Sequence, residues 1–305
     1  RLGLVVVDEQ HRFGVKQRNL LLDKGLQPHL LTMTATPIPR TLALSLHGDL
    51  DVSQIDELPP GRSSVQTQIL SRSQIKKAYE LIREVVLVGQ QAYVVLPLVD
   101  ESEKLDLSSA IKVHEQLSTE IFPEFSVGLL HGRMNGIDKQ TVIKKFLSKE
   151  FNILVSTTVI EVGVDVPNAT VMVIDNAERF GLAQLHQLRG RVGRGSSQSH
   201  CLLIYDGSQK ASKQRLDVLV NTNDGFEIAE IDLQLRGPGQ VLGTRQSGLP
   251  DFALASLIDD AEVLELARKQ ATILLDHDPG LVNQSLLRSL INKQWNSITV
   301  NSHLN

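Results

Sequence analysis

Short apolar runs alternate with longer amphipathic segments along most of the chain. Runs of this kind predict buried β-strands at Leu4–Val7, Leu30–Met33, Tyr93–Leu98, Val127–Leu130, Ile153–Val155, Val171–Ile174 and Leu202–Tyr205. Between them, apolar residues recur with helical spacing in Gln74–Val88, Asp138–Ser148 and Leu182–Val192. Because fully apolar strands that alternate with helices are typical of parallel sheets covered on both faces, the pattern predicts an α/β fold.

The stretch LPPGR, Leu58 to Arg62, interrupts this alternation, because two prolines and a glycine end regular structure. We expect a linker at residues 59–62, between a first domain at 1–58 and a second domain at 63–207. The first domain has too few strands and helices for a complete doubly wound sheet, so we expect it to be part of a larger domain. The second domain has a complete set of strand–helix units.

After Asp206 the strand pattern stops and helical spacing continues. It predicts helices at Ser208–Val220, Glu227–Leu235 and Leu254–Leu275. A glycine-rich stretch, Leu235 to Gly248, follows the second of these helices. We therefore expect a helical hairpin with a loop at residues 208–250 and a C-terminal helical segment at 251–305.

Composition narrows the possible functions only a little. The net charge of −4 and the pI of about 6.2 do not indicate a nucleic-acid-binding protein. Whether the chain binds nucleic acid has to be judged from local clusters of charge. Cys201 is the one cysteine and cannot form an internal disulfide, and no Cys/His spacing typical of a metal site occurs. No apolar run approaches the roughly 18 residues of a membrane span, and we expect no membrane partner.

The sequence VVVDEQHRFG, Val5 to Gly14, places two carboxylates directly after a predicted strand. Strand ends at the carboxyl edge of a parallel sheet face the crevice where ligands bind. An Asp in this place can hold Mg²⁺ through water, and a neighbouring Glu can activate the water that attacks a phosphate. Taken alone, Asp8 and Glu9 are explained at least as well as two surface carboxylates without a catalytic role.

A second polar motif, TATP at Thr34 to Pro37, also follows a predicted strand. Its two hydroxyls could bond across the crevice to the side chains of the first motif. An ordinary turn with proline at the start of a helix is the alternative. The spacing of about one helix and one strand makes the two motifs more informative together than apart.

The segment QLRGRVGR, Gln187 to Arg194, lies in a stretch without acids: four arginines and two histidines occur between Arg179 and Tyr205. Arg191 and Arg194 are three residues apart, which predicts that they share one side of a helix end. Guanidinium groups suit phosphate oxygens and could stabilise the charge of a transferring phosphoryl group. A solvated basic surface or a passive DNA-phosphate contact remains possible.

Two further strand ends carry candidate ligand-binding groups. STTVIEVGVDVPNA, Ser156 to Ala169, contains hydroxyls that could bind phosphate and an Asp that could accept a hydrogen bond from a ribose hydroxyl. A strand that simply leads into a loop is the alternative. HGRM, His131 to Met134, opens a segment with five Lys/Arg and one acid up to Lys149. Such a segment fits a nucleic-acid backbone, and equally a solvated helix face.

In this order and spacing the motifs resemble motifs II to VI of the superfamily 2 helicases. TATPIPRTLALSLHGDLDVSQIDELPPGR, HQLRGRVGRG and LRGPGQVLGTRQSGLPDF resemble the RecG family of bacterial DNA helicases over residues 1 to about 275. The transcription-repair coupling (Mfd-like) translocases share some of these sequence motifs. They are the first alternative to the RecG family. A non-catalytic DNA-binding protein is the second.

The resemblance implies ATP hydrolysis between two RecA-like domains, the first partial and the second complete in this chain, followed by the helical segment. In that site Asp8 would hold Mg²⁺ through water and Glu9 would activate the attacking water. Arg191 and Arg194 would contact the γ-phosphate, positioned by Gln187, and Gly163 and Asp165 would contact the nucleotide. The nucleotide state would be coupled to domain closure and to the hairpin and its loop by Gln10, His11, Thr34, Thr36, Arg215 and Gln246. Arg133 and Thr157 would contact the DNA backbone.

The implied substrates are ATP and branched double-stranded DNA, such as stalled replication forks and Holliday junctions. No GxxxxGK[ST] phosphate loop occurs in the chain, and seven residues precede Asp8. We therefore expect the C-terminal part of a longer protein, inactive alone, whose preceding part supplies the phosphate loop and a wedge domain. We expect that protein to be a monomer in the bacterial cytoplasm, associated with the nucleoid.

Overall fold

A computed structural model describes residues 2–9, 13–26, 28–35, 51–55, 57, 64–97, 103–157, 165–207, 210–236 and 261–302. Contacts divide the chain into two compact units. The first unit comprises Arg1–Pro37 and Asp56–Ala229, and the second comprises Ile38–Ile55 and Glu230–Asn305.

A small parallel sheet forms the N-terminal part of the first unit. Strand β1 (Leu4–Val7) leads into helix α1 (Val15–Leu22), and β2 (His29–Thr32) returns beside β1 with Val7 opposite Thr32. Val5 and Val7 are buried, whereas the alternating residues of β1 are exposed. The predicted strand at Leu4–Val7 is confirmed, and the second predicted strand begins one residue earlier than expected.

The larger part of the first unit is a six-stranded parallel sheet. Its strands are β3 (Val65–Ser71), β4 (Gln91–Val95), β5 (Val127–Leu130), β6 (Ile153–Ser156), β7 (Ala169–Ile174) and β8 (Ser199–Tyr205). They lie side by side in the order β3-β8-β7-β4-β6-β5. The connections between these strands include helices, as parallel pairing requires crossover segments rather than tight turns.

Helices follow these strands in turn. Their bounds are α2 (Ile75–Leu87), α3 (Glu103–Gln116, continued by a π-helical turn at Leu117–Ile121), α4 (Gly136–Leu147), α5 (Leu182–Arg189), α6 (Lys210–Asn221) and α7 (Gly225–Arg236). Helices α8 (Ala261–His277) and α9 (Ser285–Ser302) belong to the second unit. No helix in the described part of the chain combines the length and apolarity that crossing a bilayer requires.

Apolar side chains pack on both faces of the six-stranded sheet, because neighbouring residues of a strand point to opposite sides. On β4, Tyr93 and Val95 belong to one buried cluster, and Ala92 and Val94 belong to the other. Residues of α4 to α7 complete the first cluster, and residues of α2 and α3 complete the second. The predicted α/β fold with helices on both faces and a helical C-terminal region is therefore confirmed.

One strand, β3, is absent from the sequence-based prediction. It pairs with β8 alone at the edge of the sheet. Its sequence VQTQILS alternates, with Gln66 and Gln68 exposed and their neighbours Val65, Thr67 and Ile69 partly buried. An edge strand covered on one side keeps polar positions, so it does not form the continuous apolar run by which the other strands were predicted.

Candidate functional site

The first carboxylate pair lies where the sequence predicts it, at the end of β1. The Asp8 Oδ1 atom accepts a hydrogen bond from the Glu9 backbone N–H at 2.9 Å, where the chain bends after the strand. Glu9 has a φ of 52°, in the left-handed region that residues other than glycine rarely occupy. This conformation costs on the order of 1 kcal/mol or more and is found preferentially at functional sites.

A magnesium ion would fit this strand end only in a water-mediated way. Asp8 is exposed, and within the described residues no group of three His, Cys, Asp or Glu side chains converges on one point. Mg²⁺ commonly keeps several waters and binds through one or two carboxylates. The donor set at Asp8 is therefore compatible with an ion held through its water shell.

The second motif begins at the same edge of the small sheet. Met33 N donates to Val7 O at 2.8 Å, so the chain leaves β2 beside the end of β1. Thr34 follows directly and lies next to the strand end that carries Asp8. Gln10, His11 and Thr36 lie outside the described residues.

The arginine pair follows α5 rather than lying on it. The helix ends at Arg189, where Gly190 N donates to His186 O at 3.0 Å, and Gly193 has a φ of 77°. The prediction of a helix up to Val192 was wrong: the helix ends at Arg189 with Gly190 as its C-cap, and the positive φ of Gly193 turns the chain away from a helical path. Arg191 and Arg194 are therefore carried by a turn. Gln187 is half-buried on the helix itself.

The backbone of this turn comes close to the segment after β6. A Cβ atom on Gly195 would lie 2.7 Å from the Pro167 carbonyl oxygen, so only glycine fits there without a shift. Beside it, Arg194 Nη1 lies 3.5 Å from Asp165 Oδ1, and Arg194 Nε donates to Gly190 O at 3.2 Å. The structure thus brings together Arg194 and Asp165, two residues that the sequence assigned to one nucleotide site. Gly163 lies outside the described residues.

Tyr93 is a member of this charged cluster that the sequence reasoning missed. Burial on β4 raises the pKa of its hydroxyl, while the positive charges of Arg191 and Arg194 act in the opposite direction. Asp165 adds a further upward effect on the same pKa. Tyr93 therefore lies within electrostatic range of both arginines and stays protonated. Its apolar neighbours on the strand gave no signal of this position.

The two DNA candidates follow neighbouring strands. Leu130 of β5 pairs with Ser156 of β6, and Thr157 N donates to Leu130 O at 3.2 Å. Thr157 is 2% exposed, and its Oγ1 atom has no hydrogen-bond partner among the described residues. Arg133 lies in the turn that leads from β5 to α4. Both candidates therefore start from one edge of the sheet.

His131 lies between these candidates and was not predicted as a site residue. Its Nδ1 atom is buried and has no hydrogen-bond partner among the described residues. Burial lowers the pKa of this imidazole, and the charges of Lys139 and Arg133 lower it further. His131 is therefore neutral near pH 7. Its position directly before Gly132 and Arg133, after an apolar strand, is the signal that could have found it.

The hairpin helix α6 also contacts the region before α5. Arg215 donates from Nη2 to the backbone carbonyl of Glu178, in the short turn Ala177–Arg179 that precedes α5. The Arg215 Nε and Glu178 Oε2 atoms are buried and have no hydrogen-bond partner among the described residues. Gln246, the other predicted residue of this region, lies outside the described residues.

Comparison with known proteins adds family information to this geometry. Residues 74–196 match the family described as Helicase conserved C-terminal domain, and residues 222–300 match ATP-dependent DNA helicase RecG, domain 3, C-terminal. ATP-dependent DNA helicase RecG of Synechocystis sp. is 62% identical over 281 residues, which cover 92% of this chain and 34% of that relative. RecG of Thermotoga maritima is 53% identical over 268 residues, which cover 88% of this chain and 34% of that relative.

A solved structure described as RecG bound to a three-way DNA junction is also similar. It has a TM-score of 0.68 and 48% identity, covering 87% of this chain and 34% of that chain. The DNA-bound helicase MrfA has a TM-score of 0.52 at 19% identity, a likeness of fold alone. The expected RecA-like fold is confirmed by these similarities. The chain spans about a third of the length of the two curated relatives named above.

Proposed function

We propose that this chain, which belongs to the RecG family, is the C-terminal part of an ATP-dependent DNA helicase that remodels branched double-stranded DNA. Stalled replication forks and Holliday junctions are the substrates we expect. The observation that carries the proposal is the meeting of Arg194 with Asp165 at 3.5 Å, next to the turn after α5. The two family matches, a general helicase domain over residues 74–196 and a RecG domain over residues 222–300, support it.

We assign ATP hydrolysis to the carboxylates at the end of β1 and the arginines in the turn after α5. Glu9 takes the proton of the water that attacks the γ-phosphate, and the guanidinium groups of Arg191 and Arg194 stabilise the charge that develops on the phosphoryl oxygens. Gln187, on the helix before them, positions the pair. Asp8 would hold Mg²⁺ through water, and the ion would neutralise phosphate charge when bound.

Nucleotide recognition and coupling complete the proposed site. Asp165 and Gly163 lie on the segment between β6 and β7 and would contact the nucleotide. The residues that we propose to relay the nucleotide state between the domains are Gln10, His11, Thr34 and Thr36. Arg215 and Gln246 would pass it on to the hairpin and its loop.

We propose that DNA passes the edge at which β5 and β6 end. Arg133 offers a cation for the phosphate backbone. The Thr157 hydroxyl, which is buried in this structure, would serve as a neutral donor only after becoming accessible. Contacts of this kind position a duplex without reading its sequence, which suits a protein that moves along DNA. We propose a monomer in the bacterial cytoplasm, associated with the nucleoid because the substrate is chromosomal DNA.

Unwinding of a synthetic junction by the full-length protein tests this function. By full-length protein we mean this chain joined to the preceding segment of the same protein. Strand release from a three-way junction should require ATP and should exceed release from a linear duplex of equal length. ATP-driven displacement of a third strand from linear duplex, with no junction unwinding, would instead indicate a translocase of the transcription-repair coupling type.

Replacing Gln246 by alanine in the full-length protein is expected to separate hydrolysis from movement. The loop around Gln246 contains several glycines and follows the hairpin, so we expect it to transmit motion rather than to contact ATP. ATP turnover should fall by less than about threefold and junction unwinding by about tenfold or more. Gln284→Ala, in the second unit, is the control. Equal losses of turnover and unwinding in Gln246→Ala would exclude a transmitting role for this loop.

A further inference from the structure

The segment that carries Asp165 enters β7 through a four-residue turn, Val166 to Ala169. Ala169 N donates to Val166 O at 3.0 Å, and Pro167 stands at the second position of the turn, where its fixed φ is favourable. The Val166 side chain is buried, whereas Asp165 is exposed. The turn therefore determines where the backbone of Asp165 leaves the core.

Asn168 attaches this turn to the segment that leads into β4. Its Nδ2 atom donates to Gly89 O and to Gln91 Oε1, both at 3.0 Å, and its carbonyl oxygen accepts from Gln91 N at 3.0 Å. Gly89 lies just after α2, where Gly89 N donates to Val86 O at 2.9 Å. The turn is thus attached to the end of a helix and to the start of a strand.

The Gln91 side chain is itself fixed in the core. Gln91 is 1% exposed, and its Nε2 atom donates to Phe146 O at 2.6 Å and to Phe151 O at 2.8 Å. With its nitrogen engaged in this way, the Gln91 amide presents its oxygen to Asn168. An oxygen in that place accepts hydrogen bonds only, so position 168 requires a donor.

The same turn lies beside the arginines on its other side. A Cβ atom on Gly195 would lie 2.7 Å from Pro167 O, and Arg194 Nη1 lies 3.5 Å from Asp165 Oδ1. An ion pair between two side chains as exposed as these contributes little, so it does not by itself hold Asp165 in place. The attachment of the turn through Asn168 is stronger, because it combines three hydrogen bonds with partly buried partners.

We infer that Asn168 is a positioning residue for ATP binding, which holds the turn that presents Asp165 to the nucleotide. It acts through Asp165 and not by its own contact with ATP. The inference rests on the proposed function, because it requires Asp165 to contact the nucleotide. Losing the position of a binding group weakens ATP binding while the hydrolytic chemistry stays the same, so KM should change and kcat should not.

Asn168→Ala in the full-length protein tests the inference. The KM for ATP in DNA-stimulated turnover should rise by about tenfold, and kcat should stay within about threefold of wild type. Asn168→Asp keeps the shape of the side chain but places an acceptor against Gly89 O and Gln91 Oε1. Its KM should rise at least as much. Thermal melting of each variant shows that it is folded.

Thr170 provides a matched control, because it joins the same two segments two residues further from Asp165. Its Oγ1 atom donates to Gln90 Oε1 at 2.8 Å. Valine matches the shape of threonine without the hydroxyl, and Gln90 is partly exposed, so water replaces the lost donor. The KM for ATP should be unchanged in Thr170→Val. An equal rise of KM in this variant would reduce Asn168 to a general structural contact and overturn the inference.

Combining Asn168→Ala with Asp165→Ala tests whether Asn168 acts through Asp165. Residues that act as a unit give non-additive effects, whereas independent residues give effects that multiply. Each single change should raise KM by about tenfold, and the double variant should stay within about twofold of Asp165→Ala. A KM raised by about 100-fold in the double variant would overturn the inference.

Asn168→Ser keeps the test open if Asn168→Ala does not fold, because serine retains one donor in the turn. Its KM should rise by about threefold. A wild-type KM in both Asn168→Ser and Asn168→Asp would overturn the inference, and so would a kcat that falls as much as KM rises. A wild-type full-length protein without ATP turnover would contradict the proposed function and the inference together, whereas the other outcomes contradict the inference alone.

Discussion

Alanine at Arg191 or at Arg194 in the full-length protein is expected to lower DNA-stimulated ATP turnover by about 150-fold or more, which corresponds to about 3 kcal/mol of transition-state stabilisation. The two guanidinium groups follow α5 in a turn whose Gly195 lies close to the Pro167 backbone. A group held in place before the reaction stabilises developing charge without the cost of reorganisation. Steady-state turnover at saturating ATP and DNA measures the effect.

The Asp165 contact indicates that Arg194 can leave its present partner at little cost. Both side chains are partly exposed, at 32% and 55%, and an ion pair of that kind contributes little to stability. Arg194→Lys should recover only part of the activity, because an ammonium lacks the planar fork of donors. Arg83→Ala serves as the control. Normal turnover in both the Arg191 and Arg194 alanine variants would exclude these arginines from the reaction.

Glu9→Gln is expected to lower the turnover number by about 10²- to 10⁴-fold while ATP binding and DNA binding remain near wild type. Glutamine has the shape of glutamate but cannot take the proton of the attacking water. Because the backbone at Glu9 already has a φ of 52°, an isosteric change is safer than alanine for keeping the turn. Turnover and the binding of a fluorescent ATP analogue should be measured on the same preparation.

Glu124→Gln is the matched control for Glu9, since Glu124 is a carboxylate of the same size. The hydrogen bond from Arg83 lowers the pKa of Glu124, and its surroundings are exposed. Turnover should not change in this variant. Turnover of the Glu9→Gln protein within a few-fold of wild type would assign the base to another residue. Loss of ATP binding would indicate a damaged site rather than a missing base.

The sequence predicted most strands because runs of apolar residues are a direct signal of a buried strand. Strands β5 and β6 of the large sheet start where the prediction placed them, and so does β1, although one face of β1 is exposed. The carboxyl edge of a parallel sheet then collects the residues that follow each strand. For this reason Asp8 could be named as a candidate before its position was known, whereas Thr157 and Arg133 were named from the resemblance to the helicase family.

Contacts between distant segments could not be predicted in the same way. The approach of Gly195 to Pro167 and the bonds from Asn168 to Gly89 and Gln91 depend on how distant segments pack, and residue spacing does not encode that packing. The end of α5 was misplaced because leucine spacing continues to Val192, whereas the helix ends at Arg189 and the chain turns at Gly193. Tyr93 was missed because a tyrosine in a buried strand resembles any core residue.

ATP turnover by the 305-residue chain alone and by the full-length protein tests most directly whether this chain holds one part of a divided ATP site. The chain contains no Gly-Lys pair, so it has no P-loop to cradle the phosphates. With branched DNA present, we expect turnover by the full-length protein and none above background by the isolated chain, with a melting transition as evidence that the chain is folded. DNA-stimulated turnover by the isolated chain would show that the ATP site is not divided in this way.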